Sequence, residues 1–182
     1  MKKLIILSIF LCIAVMAMAQ EPMTYSKVIQ ADSLDKTSIY VALRAWFSET
    51  YKSSNAVIQM DDKDAGIIIG KGTTKYSYGG MVYSCYEGYV NYTVKVQIRD
   101  GRYKAEVSNI NHEVLPGNSK GCILGLITTA EKHSEKGMQK GYDNKVADDI
   151  KSKMKEYSEK LFTGMETATN NASKATSVND EW

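Results

Sequence analysis

Few residues of this 182-residue chain are of types that do covalent chemistry, and each can be weighed by its neighbours. The histidines are His112 and His133. His112-Glu113 sets a base beside a carboxylate, but neighbours on an extended strand point to opposite faces, so the two side chains should diverge and His112 reads as structural. Cys85 as a nucleophile would need a base beside it, and His112 is the partner the chain register offers. Lys71 between Gly70 and Gly72 invites comparison with a phosphate cradle. The pattern GxxxxGK[ST] is absent, however, and no helix follows. Asp61, Asp62 and Asp64 supply oxygens from one turn, yet the glutamate that closes a calcium loop is missing, so a solvated turn is expected. HExxH, GxSxG and CxxC are also absent. No catalytic residue, metal ligand or cofactor is assigned, and binding is favoured over catalysis.

Tyrosines give the one dense constellation. Tyr76, Tyr78, Tyr83, Tyr86 and Tyr89 crowd around glycines within fourteen residues. Tyrosine offers rigid apolar area with a polar tip, which suits a recognition surface. The competing reading is of ordinary strand and loop residues. An unknown protein, peptide or glycan of the cell envelope is the expected partner.

The compartment follows from the first residues. Lys2 and Lys3 precede an apolar run from Leu4 to Val15, and Ala17-Met18-Ala19 closes it in the manner of a signal-peptidase site. Residues 1–19 are expected to be a signal peptide, cleaved to leave Gln20 first in a periplasmic or secreted protein with no further membrane span. The chain has 23 Lys and Arg against 21 Asp and Glu. Loss of Lys2 and Lys3 leaves 21 against 21, which lacks the basic field that nucleic acid requires. It also leaves Cys85 and Cys122 as an even pair in an oxidising compartment, where cysteines are usually bonded.

The elements that must position these residues are read from periodicity. Gly88 to Val114 reads as a long β-hairpin. Val90, Tyr92, Val94, Val96 and Ile98 alternate with polar residues, as a half-buried strand requires. Asp100-Gly101 marks a two-residue turn. The turn sets Ile98 opposite Tyr103, Val96 opposite Ala105, Val94 opposite Val107, and Lys95 opposite Glu106. Past Val107 the apolar parity slips, so a β-bulge near Ser108-Asn109 is expected to bring Tyr92 opposite Ile110. The register also places Gly88 near Val114, so Cys85 and Cys122 leave the sheet at the same end and a disulfide between them is expected.

Elsewhere, Thr24–Ala31 predicts a strand and Asp32-Ser33 a helix cap. Lys36–Tyr51 predicts a helix with Ile39, Ala42, Leu43, Trp46 and Phe47 on its packed face. Asn55–Asp61 and Gly66–Tyr78 predict two more strands, the second interrupted by a bulge or bend at Gly70 and Gly72. Cys122–Ile127 is short and apolar, fitting an edge strand or a plug over the core. A long helix from Tyr142 to about Thr169, capped by Asp143 or Asn144, carries Val146, Ile150, Met154, Tyr157, Leu161 and Met165 on one stripe. Residues 170–182 are polar and expected to be a disordered tail. A single α+β domain over residues 20–169 results, in the order β-α-β-β-β-β-α: one curved antiparallel sheet with both helices on one face, in a helix-grip-like arrangement.

The segments VIQADS, WFSETYKSSNAVIQMDDKDAGIIIGKG and YTVKVQIRDGRYKAEVSNI resemble an uncharacterised family of exported Bacteroidetes domains with a TATA-binding-protein-like fold. The resemblance spans roughly Tyr25 to Val114. It implies a TBP-like fold and assigns no catalytic residue. Three functions stay open: an envelope binding module, a carrier of a small apolar ligand between sheet and C-terminal helix, and, most distantly, a hydrolase.

Overall fold

The computed structural model of the chain describes residues 20–51, 57–118 and 120–179. The expected signal peptide lies outside them. Its elements run β1 (Tyr25–Gln30), α1 (Lys36–Thr50), β2 (Val57–Asp62), β3 (Ile67–Tyr76), a 3-10 turn (Met81–Tyr86), β4 (Gly88–Arg99), β5 (Arg102–Val114), β6 (Gly125–Leu126) and α2 (Lys140–Asn179). The sheet is antiparallel and open, ordered β1-β5-β4-β3-β2, with β6 continuing along β5 beside β1.

The β4–β5 hairpin is the frame. Ile98 faces Tyr103, Val96 faces Ala105 and Val94 faces Val107, as the turn dictates. The bulge is present: Tyr92 stands opposite two residues, and Asn109 adopts a φ of 52°. Asparagine is among the few side chains that tolerate that left-handed region. Lys95 does face Glu106, but the Glu106 carboxylate takes Lys104 of its own strand at 3.0 Å.

Inward residues of all five long strands' face and of both helices form one core, including Ile39, Leu43, Phe47, Val94, Val96, Ile98, Ile150, Met154 and Met165. Both helices therefore cover one face, and the other face of the sheet is open. The helices approach closely where Gly164 meets Trp46: a Cβ there would lie 2.8 Å from the indole Nε1. Trp46 itself is only partly buried and packs at the core's margin.

Several local expectations are corrected. α1 is capped by Asp35, whose carboxylate accepts the Ser38 N–H, and not by Asp32 or Ser33. The glycines of β3 do not break its pairing with β4, which runs unbroken from Ile67 to Tyr76. The irregularity falls on the partner strand, between Ile58 and Met60. Gly72 instead makes room for the Tyr92 ring, with which any Cβ would collide, and that lets the Tyr92 hydroxyl meet the Tyr157 hydroxyl at 2.7 Å. Asp143 and Asn144 are drawn into tertiary bonds: Asp143 accepts from Tyr86, and Asn144 exchanges two bonds with the Ser134 backbone. The expected disordered tail is helical as far as Asn179. Beyond Leu161 the stripe continues through Met165 and the buried Thr169 to Ala172, so packing on the sheet holds residues whose composition alone would leave them unfolded.

Candidate functional site

The tyrosine segment leaves β3, turns at Gly79 and Gly80, and coils into the 3-10 turn before β4. Its anchor is covalent. Cys85 is bonded to Cys122, 37 positions further along the sequence, with Cα atoms 5.1 Å apart. A backbone bond reinforces the join, the Cys122 N–H donating to the Cys85 carbonyl at 2.8 Å. The bond crosslinks the tyrosine segment to the β6 strap.

His112 holds the same junction from below. It is fully buried, its Nε2 lies 2.9 Å from the Tyr86 carbonyl, and its Nδ1 accepts the Leu124 N–H at 3.3 Å. That pattern requires the neutral ring with its proton on Nε2. Burial lowers the His112 pKa below its ordinary value of 6.5, the Tyr86 carbonyl opposing this in part. His133 donates to the Leu124 carbonyl at 3.0 Å. Both polar backbone groups of Leu124 are thus held by imidazoles. A Cys85–His112 nucleophile and base pair does not form in this geometry: the Cys85 sulfur is committed to Cys122, and both nitrogens of His112 are engaged.

The five tyrosines do not form one surface. Tyr76 is buried beneath α2; its hydroxyl donates to Asp149 at 2.7 Å and its ring meets His112 edge-on at 5.5 Å. Tyr86 is 1% exposed and donates to Asp143 at 2.6 Å. Burial, with the carboxylate each hydroxyl serves, raises both phenol pKa values well above the ordinary 10. Tyr89 pairs with Lys75 and Glu113 and, by strand alternation with the buried Val90, belongs to the helix-free face. Tyr78 and Tyr83 remain together, ring centroids 4.1 Å apart, and Tyr83 continues to Tyr142 of α2 at 5.6 Å.

Sequence reading missed the rest of this surface. Met81 is 92% exposed, Val82 66%, Ile123 64% and Met138 fully exposed. Each is tied to the same junction. Met81 and Val82 belong to the 3-10 turn of Cys85, Ile123 follows Cys122, and Met138 precedes Gln139, whose amide oxygen lies 3.8 Å from the Cys122 sulfur. Met81-Val82 directly after two glycines was the available signal; nothing local marked Met138.

The carrier alternative needs space between sheet and α2. Met154 and Leu161 are buried in the same cluster as Val94, Val96 and Ile98, with Tyr157 packed at its edge. The hollow lined by Tyr76, Val90, Ile150 and Met154 holds about 130 Å³. Ligand pockets usually begin near 300 Å³, so an enclosed cargo is not accommodated. Of the three aspartates, Asp61 takes the Tyr40 hydroxyl and Arg44 Nε, and Asp62 accepts the Ala65 N–H. No helix among the described residues is long and apolar enough to cross a membrane.

Residues 25–113 match the sequence profile of a family described as "Domain of unknown function (DUF4468) with TBP-like fold", and those residues are a domain of that family. The matched span runs from β1 through β5; β6 and α2 lie beyond it. A TBP-like protein from Parabacteroides distasonis is similar in structure, with a TM-score of 0.62 and 17% identity over 82% of this chain and 94% of that one. A DUF4468 family protein from Bacteroides ovatus follows, with a TM-score of 0.59 and 18% identity over 81% and 86%. At such identities the likeness establishes the fold. No curated protein matches the sequence.

Proposed function

We propose that the protein is an exported, non-enzymatic binding module of the cell envelope whose contact surface is the disulfide-pinned end. The observation that carries this reading is that Met81, Val82, Ile123 and Met138 are all more than half exposed on segments that meet at one crosslink. Met81 and Val82 are on the turn of Cys85, Ile123 is next to Cys122, and Met138 is next to the Gln139 that meets the Cys122 sulfur. The Tyr78–Tyr83–Tyr142 rings meet at Tyr83 of the same turn. Scattered apolar residues are normal on a surface, whereas a group of them on a rigid support marks a contact site. Methionine adapts its shape to a partner, and tyrosine adds area at low entropic cost. The partner this suits is a protein or peptide segment that presents apolar side chains. An exported protein would find it in the periplasm or outside the cell.

The test uses the mature chain, residues 20–182, as bait in envelope extract, beside a Met81→Asp/Met138→Asp variant. Both side chains are exposed, so the variant should melt as the unaltered protein does. Partners retained by the unaltered chain and lost by the variant support the proposal. Equal retention by both would remove it, and retention competed away by free glycan would assign the surface to sugars.

A further inference from the structure

The opposite end of the hairpin carries an unresolved electrostatic conflict. Arg99 and Arg102 are direct cross-strand partners on either side of the Asp100-Gly101 turn, and both are exposed. Like charges directly opposite on a sheet destabilise it. Among the described residues no carboxylate forms an ion pair with either guanidinium. The nearby acids are used otherwise or stand apart. Asp100 accepts the Lys36 N–H at 2.8 Å, Asp62 accepts the Ala65 N–H at 2.8 Å, and Asp32 stands against Gly101 without closing an ion pair.

Hairpin tips usually fray, but this one is clamped. The Ala31 N–H donates to the Gly101 carbonyl at 2.8 Å, the Gly101 N–H to the Leu34 carbonyl at 3.0 Å, and the Ile98 N–H to the Gly66 carbonyl at 2.8 Å. With the Lys36–Asp100 bond, the start of α1 and the β2–β3 turn hold the arginines from both sides. Two like charges held together on a fixed frame are the arrangement that a bound anion would relieve, at little cost in ordering.

The two arginines stand on the rim of a hollow of about 410 Å³ on the helix-free face. Its floor includes Ile67 and Val28, the latter 57% exposed, and Gln97 and Lys104 complete the wall. Lys104 is already paired with Glu106. The head of a ligand would therefore meet guanidinium forks, which suit a carboxylate's two oxygens, and its body would meet aliphatic side chains.

We propose that this hollow binds a small organic anion, a carboxylate on a short aliphatic body, held by Arg99 and Arg102 with its chain over Val28 and Ile67. The hairpin is twelve residues long on β4, so this site lies ~40 Å from the disulfide-pinned end and is independent of the contact surface proposed there.

Calorimetric titration of the mature chain with octanoate at low ionic strength tests it, with inorganic phosphate as a second probe. Saturable octanoate binding is expected, weakened at least tenfold by Arg99→Ala/Arg102→Ala. Arg99→Lys/Arg102→Lys should fall between, because charge survives and the fork does not. Lys71→Ala, outside the hollow on the same face, should leave binding unchanged. No octanoate binding, or equal binding by the double alanine variant, would overturn the site. Phosphate bound as tightly as octanoate would overturn the aliphatic part. Should the double variant fail to fold, the Val28 and Ile67 methyl resonances of the unaltered protein read the same contact, and their indifference to octanoate would also overturn it.

Discussion

The two ends of the central hairpin are built by different means. At the turn end, short-range chemistry sets the reversal at Asp100-Gly101, and segments near it in space but distant in sequence, at Ala31, Leu34 and Gly66, clamp it through backbone bonds. At the open end no local pattern closes the structure. Gly88 faces Val114, and beyond them two irregular segments are joined by the Cys85–Cys122 bond and by the buried His112. At the turn end the reversal is specified by adjacent residues and then secured by segments distant in sequence, whereas the open end is specified wholly by residues dozens of positions apart. The first should therefore survive perturbations that unmake the second.

Removing the crosslink should produce the largest effect. With the cysteines 37 positions apart, the chain-entropy model gives about 4 kcal/mol for Cys85→Ala/Cys122→Ala. Denaturant titration of the oxidised protein and the variant measures it. At the turn end, Gly101→Ala should cost less, about 1 kcal/mol, because its φ of 70° strains any side chain there. If the turn variant loses more than the cysteine variant, the contrast between the ends is wrong.

Tyr86→Phe should fall between these two. It deletes a hydroxyl held by a carboxylate at 2.6 Å, worth about 1.5–3 kcal/mol, and leaves Asp143 without that donor. Tyr83→Ala, on a half-buried ring, should cost less than Tyr86→Ala in the same melt, because Tyr83 is stacked at the surface whereas Tyr86 is sealed in the core.

Acid should loosen the open end. The folded pKa of His112 is lowered by burial, while the unfolded chain titrates near 6.5. Below that pH the unfolded state takes up a proton that the folded state refuses. The contribution is then present above about 6.5 and lost as pH falls toward the folded pKa. Melting midpoints measured from pH 7.5 to 5 should decline, and His112→Gln should flatten that limb while lowering the plateau. A decline of equal steepness in the variant would place the titration elsewhere.

How far the sequence could be read follows the same division. The hairpin register, the bulge at Asn109 and the face of each helix were legible because period-two and period-three-to-four patterns are written locally. β6 was ambiguous because two residues carry no period, and only pairing with Asn111 and His112 defines it. The helical run past Thr169 was missed because polar residues there depend on packing, not propensity. Asp143 and Asn144 read as caps, since cap chemistry is local, but tertiary partners claimed both. For the candidate surface, sequence density grouped five tyrosines, whereas burial divided them: Tyr76 and Tyr86 are core, Tyr89 faces the other side, and Tyr78 and Tyr83 remain. Tyr142, from a distant segment, joins them only in three dimensions.

Amide hydrogen exchange on the oxidised protein and on Cys85→Ala/Cys122→Ala, compared residue by residue, measures the contrast directly. Loss of protection confined to Tyr86 to Gly88 and Cys122 to Ile127, with Ile98 and Gly101 still protected, is the predicted result. Uniform loss along the hairpin, or unchanged protection at the open end, would show that the crosslink is not what holds the tyrosine surface in place.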